Sequence, residues 1–101
     1  MEPRSALARS RLERYAQLFE SGLLSIIEVV GGVLDELAEV SDMAIVWMNA
    51  PESLRREILA YLIRVGPDNV PPAWFIGVND PESRAAQTIR RKQIAEELLR
   101  Q

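Results

Sequence analysis

Apolar residues recur along this chain at helical spacing, in separate blocks that each face a different set of polar neighbours. At about 100° per residue, Ala8, Leu12, Tyr15, Ala16 and Phe19 share one narrow side of a helix from about Ser5 to Glu20, while Arg9, Glu13, Arg14 and Glu20 lie elsewhere. Ser21-Gly22 ends it, because glycine accepts the left-handed conformation that closes many helices. A second helix begins near Ser25, with Glu28 three residues on at the capping-box spacing. Its apolar face, Ile26, Ile27, Val30, Val33, Leu34, Leu37 and Ala38, lies opposite Glu28, Asp35, Glu36 and Glu39. Many of these residues are β-branched, but the charged positions do not alternate, so the pattern predicts helix and not strand. Gly31-Gly32 interrupts this block at roughly 1 kcal/mol per glycine. Gly31 stands at the edge of the apolar face and predicts the close approach of a neighbouring helix.

Met43 to Met48 is an uninterrupted apolar run that reads as a short helix, capped by Ser41 or Asp42, although periodicity does not separate such a run from a buried strand. Asn49-Ala50-Pro51-Glu52-Ser53 and Asn79-Asp80-Pro81-Glu82-Ser83 share cap chemistry: an Asn or Asp, a Pro in the first turn, and a Glu at the positive end. Each predicts a helix start. The first such helix runs from about Pro51 to Val65, where Gly66-Pro67 stops it. Leu54, Ile58, Tyr61, Leu62 and Val65 form its main face, and Leu59 with Ile63 forms a second, so this helix is expected to be central or shared. Asp68 to Val78 is an extended connection, stiffened by Pro71-Pro72 and carrying Trp74, Phe75 and Ile76. The last helix, from about Pro81 to the C-terminus, has a broken stripe: Ala85, Ala86 and Ile89 on one side, Ile94, Ala95, Leu98 and Leu99 roughly opposite.

These segments predict an all-α fold, a small bundle of three main helices plus a short helix with one extended Pro-rich connection. It forms one domain over residues 1–101, with about 93–101 free to project or to pack on another partner. A chain of 101 residues with 48% hydrophobic side chains has room for one core and no second domain.

Composition removes much chemistry. There is no His and no Cys, hence no imidazole or thiolate zinc site, no Ser-His-Asp or Cys-His pair, no thiol redox and no disulfide. The glycines spell no phosphate loop, and Lys92 follows no glycine-rich segment. Neither Ser53 nor Ser83 opens an S-x-x-K motif. No catalytic residue, cofactor or metal ligand is assigned, and the expectation is not an enzyme. The N-terminus has no apolar stretch of signal-peptide type and no run approaches the roughly 20 apolar residues of a membrane span. A cytoplasmic protein with no membrane partner is expected.

The net charge of −3 is unevenly spread: residues 1–14 carry +2, residues 15–54 carry −7 with no base, and residues 55–101 carry +2. This segregation is best explained by basic outer helices laid along the acidic second helix. Asp35, Glu36, Glu39 and Asp42 are the densest carboxylates and read as a solvated helix face. A small carboxylate-based metal binder or enzyme is the weakest functional alternative. A nucleic-acid-binding regulator using Arg84, Arg90, Arg91, Lys92 and Arg100 is the second. It is disfavoured because Arg90, Arg91 and Lys92 fan out around the helix and Glu82, Glu96 and Glu97 dilute their field. The leading reading is a non-enzymatic protein-interaction or regulatory module that self-associates as a homo-oligomer. Its contact candidates are Leu59 and Ile63, Trp74 and Phe75, and Ile94, Leu98 and Leu99.

Overall fold

The computed structural model describes residues 3–67 and 80–101. The extended connection expected over 68–78, with Trp74 and Phe75, and the first residue of the Asn79-Asp80 cap lie outside the described residues. Five helices are present among the described residues: α1 (Pro3–Glu20), α2 (Ile26–Ala38), α3 (Met43–Met48), α4 (Glu52–Val65) and α5 (Pro81–Arg100). There is no strand among the described residues. The fold is all-α as the periodicity implies, but with four long helices plus the short α3, one long helix more than the expected three-plus-one bundle.

The ends form where local chemistry sets them. Gly22, at φ 77°, closes α1, and Gly66, at φ 83°, closes α4. The Ser25 hydroxyl accepts from the Glu28 amide at 3.4 Å to start α2. The two Asn/Asp-Pro-Glu-Ser segments part company. Asp80 caps α5, accepting from the Glu82 amide at 3.2 Å and the Ser83 hydroxyl at 2.8 Å, with Pro81 in the first turn. Asn49 does not cap α4. It closes α3 instead, donating from its side chain to the Ile45 carbonyl at 2.8 Å, and Pro51 occupies the α4 cap position. Asp42 stands at the start of α3, yet its carboxylate is taken by the hydroxyl of Ser5, a fully buried residue of α1.

α2 is the hub and touches all four other helices. Being enclosed on several sides explains why Val29, off the apolar face read from the sequence, is as completely buried as Val30, Val33 and Leu37. Ala8, Leu12 and Ala16 of α1 pack from one side, Leu54, Ile58 and Leu62 of α4 from another, and Val46 with Trp47 of α3 fills between. Each fully buried Leu or Ile contributes roughly 2 kcal/mol of transfer free energy. The centrality expected of 51–65 thus belongs to α2: Leu59 packs partly on the core, whereas Ile63 points away at 73% exposure.

A close approach is found at Gly32, the neighbour of Gly31. A Cβ on Gly32 would collide with the end of the Tyr15 ring of α1, so Gly32 is the residue whose missing side chain lets these two helices meet. Gly31 itself is buried.

α5 corrects another expectation. Its second half does not project: Ala95 and Leu98 are about 1% exposed within the core, and Ile94 and Leu99 pack against it. The exposed part is the first half, where Pro81 to Ala86 are all open to solvent.

Candidate functional site

The most organised polar region lies where α1 and α5 flank the acidic side of α2. Arg91 of α5 is in phase with Gln87, Ala95 and Leu98, so helical geometry points it at α2, and it is 5% exposed. Its guanidinium meets Asp35 through two parallel bonds, Nε to Oδ1 at 2.7 Å and Nη2 to Oδ2 at 2.6 Å. That fork geometry is the strongest ion-pair arrangement available to side chains. Gln87 donates to the same carboxylate at 3.5 Å.

The pairing continues along α2. Arg11 of α1 donates to Glu36 at 2.9 Å, and Arg90 of α5 donates to Glu39 at 3.2 Å, with Arg4 of α1 at 3.9 Å from the other Glu39 oxygen. Basic outer helices are therefore laid along the acidic hub, the arrangement the charge segregation implied. Glu39 at 58% and Asp35 at 41% keep the solvent exposure expected of them, Glu36 is only 18% exposed in its side chain, and all three carboxylates face arginine. Among the described residues no group of three acidic side chains is placed to hold a metal ion.

A hollow of about 420 Å³ opens in this seam, with Leu7, Ala8 and Val40 supplying apolar surface and Arg4, Arg11 and Arg90 its cations. A second hollow of about 370 Å³ adjoins it along α1, lined by Arg14, Tyr15 and Leu18 and sharing Arg11 and Glu36 with the first. Tyr15 is pushed above its ordinary pKa, first by burial of the phenol and then by the negative charges of Glu36 and Asp35, with Arg11 opposing. Burial likewise raises Tyr61, against the opposing Arg64 guanidinium, which stands 5.7 Å from the ring centroid. The cap bonds from Ser83 and Glu82 hold Asp80 below the usual carboxylate range.

The contact candidates are dispersed by the fold. Ile63 is on the surface and Leu59 half-buried one turn before it. Ile94 and Leu99 are half-buried against the core, and Leu98 is inside it, leaving Leu98 no surface for a partner. Trp74 and Phe75 lie outside the described residues. The structure adds exposed apolar side chains the sequence reading passed over, Leu7 at 51% and the pair Ile45 and Met48 at 56% and 57%. Ile45 and Met48 were read as part of an unbroken apolar run; only the brevity of α3, which cannot turn six apolar residues inward at once, signals that some face water. Among the described residues no helix is long and apolar enough to cross a membrane.

No protein-family model matches the chain, and neither the curated proteins nor the solved structures include a significant match to it.

Proposed function

We propose that this chain is a non-enzymatic protein-interaction module of the cytoplasm that self-associates through the outer edge of α4. The observation that carries the reading is Ile63, a large aliphatic side chain left 73% exposed beside the half-buried Leu59, on a helix whose opposite face is fully engaged in the core. Ala60 and Arg64 are exposed around it, giving an apolar centre with a charged rim, the usual composition of a modest interface.

The nucleic-acid alternative is weakened by the fate of its cations. Arg91 is buried against Asp35, Arg90 is bonded to Glu39, Arg100 donates to Glu97 at 2.6 Å, and Lys92 stands 3.9 Å from Glu96. Only Arg91 is withdrawn from solvent, and the single carboxylate beside each of Arg90, Lys92 and Arg100 lowers, without cancelling, the charge these three offer to a phosphate backbone.

Sedimentation velocity over a concentration series tests the proposal. The wild-type chain is expected to shift from monomer to dimer with rising concentration and Ile63→Asp to stay monomeric with an unchanged helical circular-dichroism spectrum. A wild type that stays monomeric at millimolar concentration, or an Ile63→Asp variant that dimerises as well as the wild type, overturns it.

A further inference from the structure

Two hollows beside α1 share the bonded pair Arg11 and Glu36, together a groove bridged by that pair, and none of the residues lining them belongs to α4. Its wall on α1 is a regular stripe. Arg4, Leu7, Arg11, Arg14 and Leu18 are spaced three, four, three and four residues apart, which keeps all five within about 80° of helix circumference. Leu7 is half exposed and Leu18 half-buried, so two aliphatic side chains punctuate a row of three arginines.

Charge decides what such a row would meet. The groove is lined by Arg4, Arg11, Arg14 and Arg90 against Asp35, Glu36 and Glu39. Asp35 is already neutralised by the buried Arg91, Glu36 engages Arg11 through one nitrogen, and Glu39 is shared between Arg90 and the more distant Arg4. Arg14 has no carboxylate partner among the described residues. In a chain of net charge −3, this flank carries a surplus of positive charge and several unused guanidinium N–H groups. Leu7 and Leu18, with Tyr15 and Val40 beside them, provide apolar seats that a phosphate backbone would not use and an amphipathic helix would. The stripe from residue 4 to residue 18 is about 21 Å long at 1.5 Å per residue, the length of a partner helix of about 14 residues.

We propose that the α1 flank of this groove docks an acidic amphipathic helix from a partner protein, with its Glu or Asp side chains on Arg4, Arg11 and Arg14 and its aliphatic residues over Leu7 and Leu18. The proposal shares with the preceding reading only the class of function, and its site is separate from the Ile63 edge.

The test uses the full chain and a capped helical peptide of about 14 residues with leucines at heptad spacing flanked by glutamates. Controls are the same peptide with lysine for glutamate, a short duplex RNA, and vesicles of anionic phospholipid. Amide chemical-shift changes on titration locate the site, and fluorescence anisotropy gives the affinity. The acidic peptide is expected to saturate with shifts confined to residues 4–18 and 35–40, and the lysine peptide to bind at least about tenfold more weakly, equivalent to about 1.4 kcal/mol. Arg14→Glu and Leu7→Ser, both at exposed positions that leave the core untouched, are each expected to weaken the acidic peptide several-fold. Ile63→Asp is expected to leave it unchanged, which separates this site from self-association. Equal binding of the two peptides, shifts centred elsewhere, failure to saturate at millimolar peptide, or preference for RNA or vesicles over the acidic peptide would each overturn the proposal.

Discussion

The two halves of α5 follow one helical geometry and meet opposite surroundings. From Pro81 to Arg90 every residue is open to solvent except the half-buried Gln87 and Thr88, and the attachment to α2 is polar, through Gln87 and Arg90. From Arg91 onward the inward positions are closed: Arg91, Ala95 and Leu98 are at most 5% exposed. A helix is held by the few residues in phase with its neighbour, and the contrast shows that one of these can be charged when the facing helix supplies a carboxylate in the matching place. Arg91 does what an aliphatic residue would do at its position, and Asp35 makes that tolerable.

The largest break in this comparison comes from the buried half. Leu98→Ala removes a side chain 1% exposed in the core and is expected to cost about 3 kcal/mol in urea unfolding. Ile89→Ala, on the outward side of the open half at 58% exposure, is expected to stay within about 0.5 kcal/mol of wild type. Hydrogen exchange should show the same division, with amides of 84–89 exchanging well before those of 94–99; equal protection along α5 would contradict the division into an open and a closed half.

Gly32 gives the next effect, at the junction of α1 and α2. Alanine there gains about 1 kcal/mol of helix propensity but forces the Tyr15 ring aside, an overpacking cost of about 1–3 kcal/mol. Gly32→Ala is expected to destabilise the wild-type chain by about 1 kcal/mol and to become neutral or stabilising in a Tyr15→Ala background. The same sign in both backgrounds would rule out the ring as the reason for the glycine.

The smallest effect is in alkali. Tyr15 and Tyr61 both titrate above their ordinary value in the folded chain, so each phenol stays protonated in the folded state while the unfolded state begins to ionise. Their contribution is fully present below about pH 10 and is lost as pH rises through the folded values. Urea unfolding between pH 8 and pH 11 should show stability falling at the upper end, with a shallower fall in Tyr15→Phe. An unchanged slope in that variant would remove Tyr15 as a contributor.

Much of this was legible in the chain. Four helical segments follow from apolar spacing and cap chemistry, whereas the six consecutive apolar residues of α3 carry no period that separates helix from strand; Asp80-Pro81 and Gly66 sit where their local preferences put them. Asn49 went astray because the same side chain that can start a helix can also close the preceding one, and α3 ends just where α4 begins. The broken stripe of α5 makes Leu98 look like a surface residue in the sequence, although it lies in the core. Periodicity records which residues share a side but not which side meets the core, and weighing Arg91 only with its basic neighbours Arg90 and Lys92 leaves aside that it shares a side with Ala95 and Leu98. The α1 stripe escaped notice for a related reason, since arginines at heptad spacing do not register in a search for apolar faces. Their role emerges only once α2 brings Glu36 and Glu39 alongside.

The fork between buried Arg91 and Asp35 anchors α5 to the hub, and a double-mutant cycle on unfolding free energy tests this directly. Asp35→Ala is expected to cost about 2 kcal/mol, below the full cost of stranding a buried charge because water reaches the 41%-exposed carboxylate. The Asp35→Ala/Arg91→Met double variant should recover most of the stability, and with Arg91→Met alone closing the cycle the coupling between the two sites should be about 2 kcal/mol. A coupling below about 0.5 kcal/mol, the value typical of a surface ion pair, would contradict the claim that this pair anchors α5 to the hub.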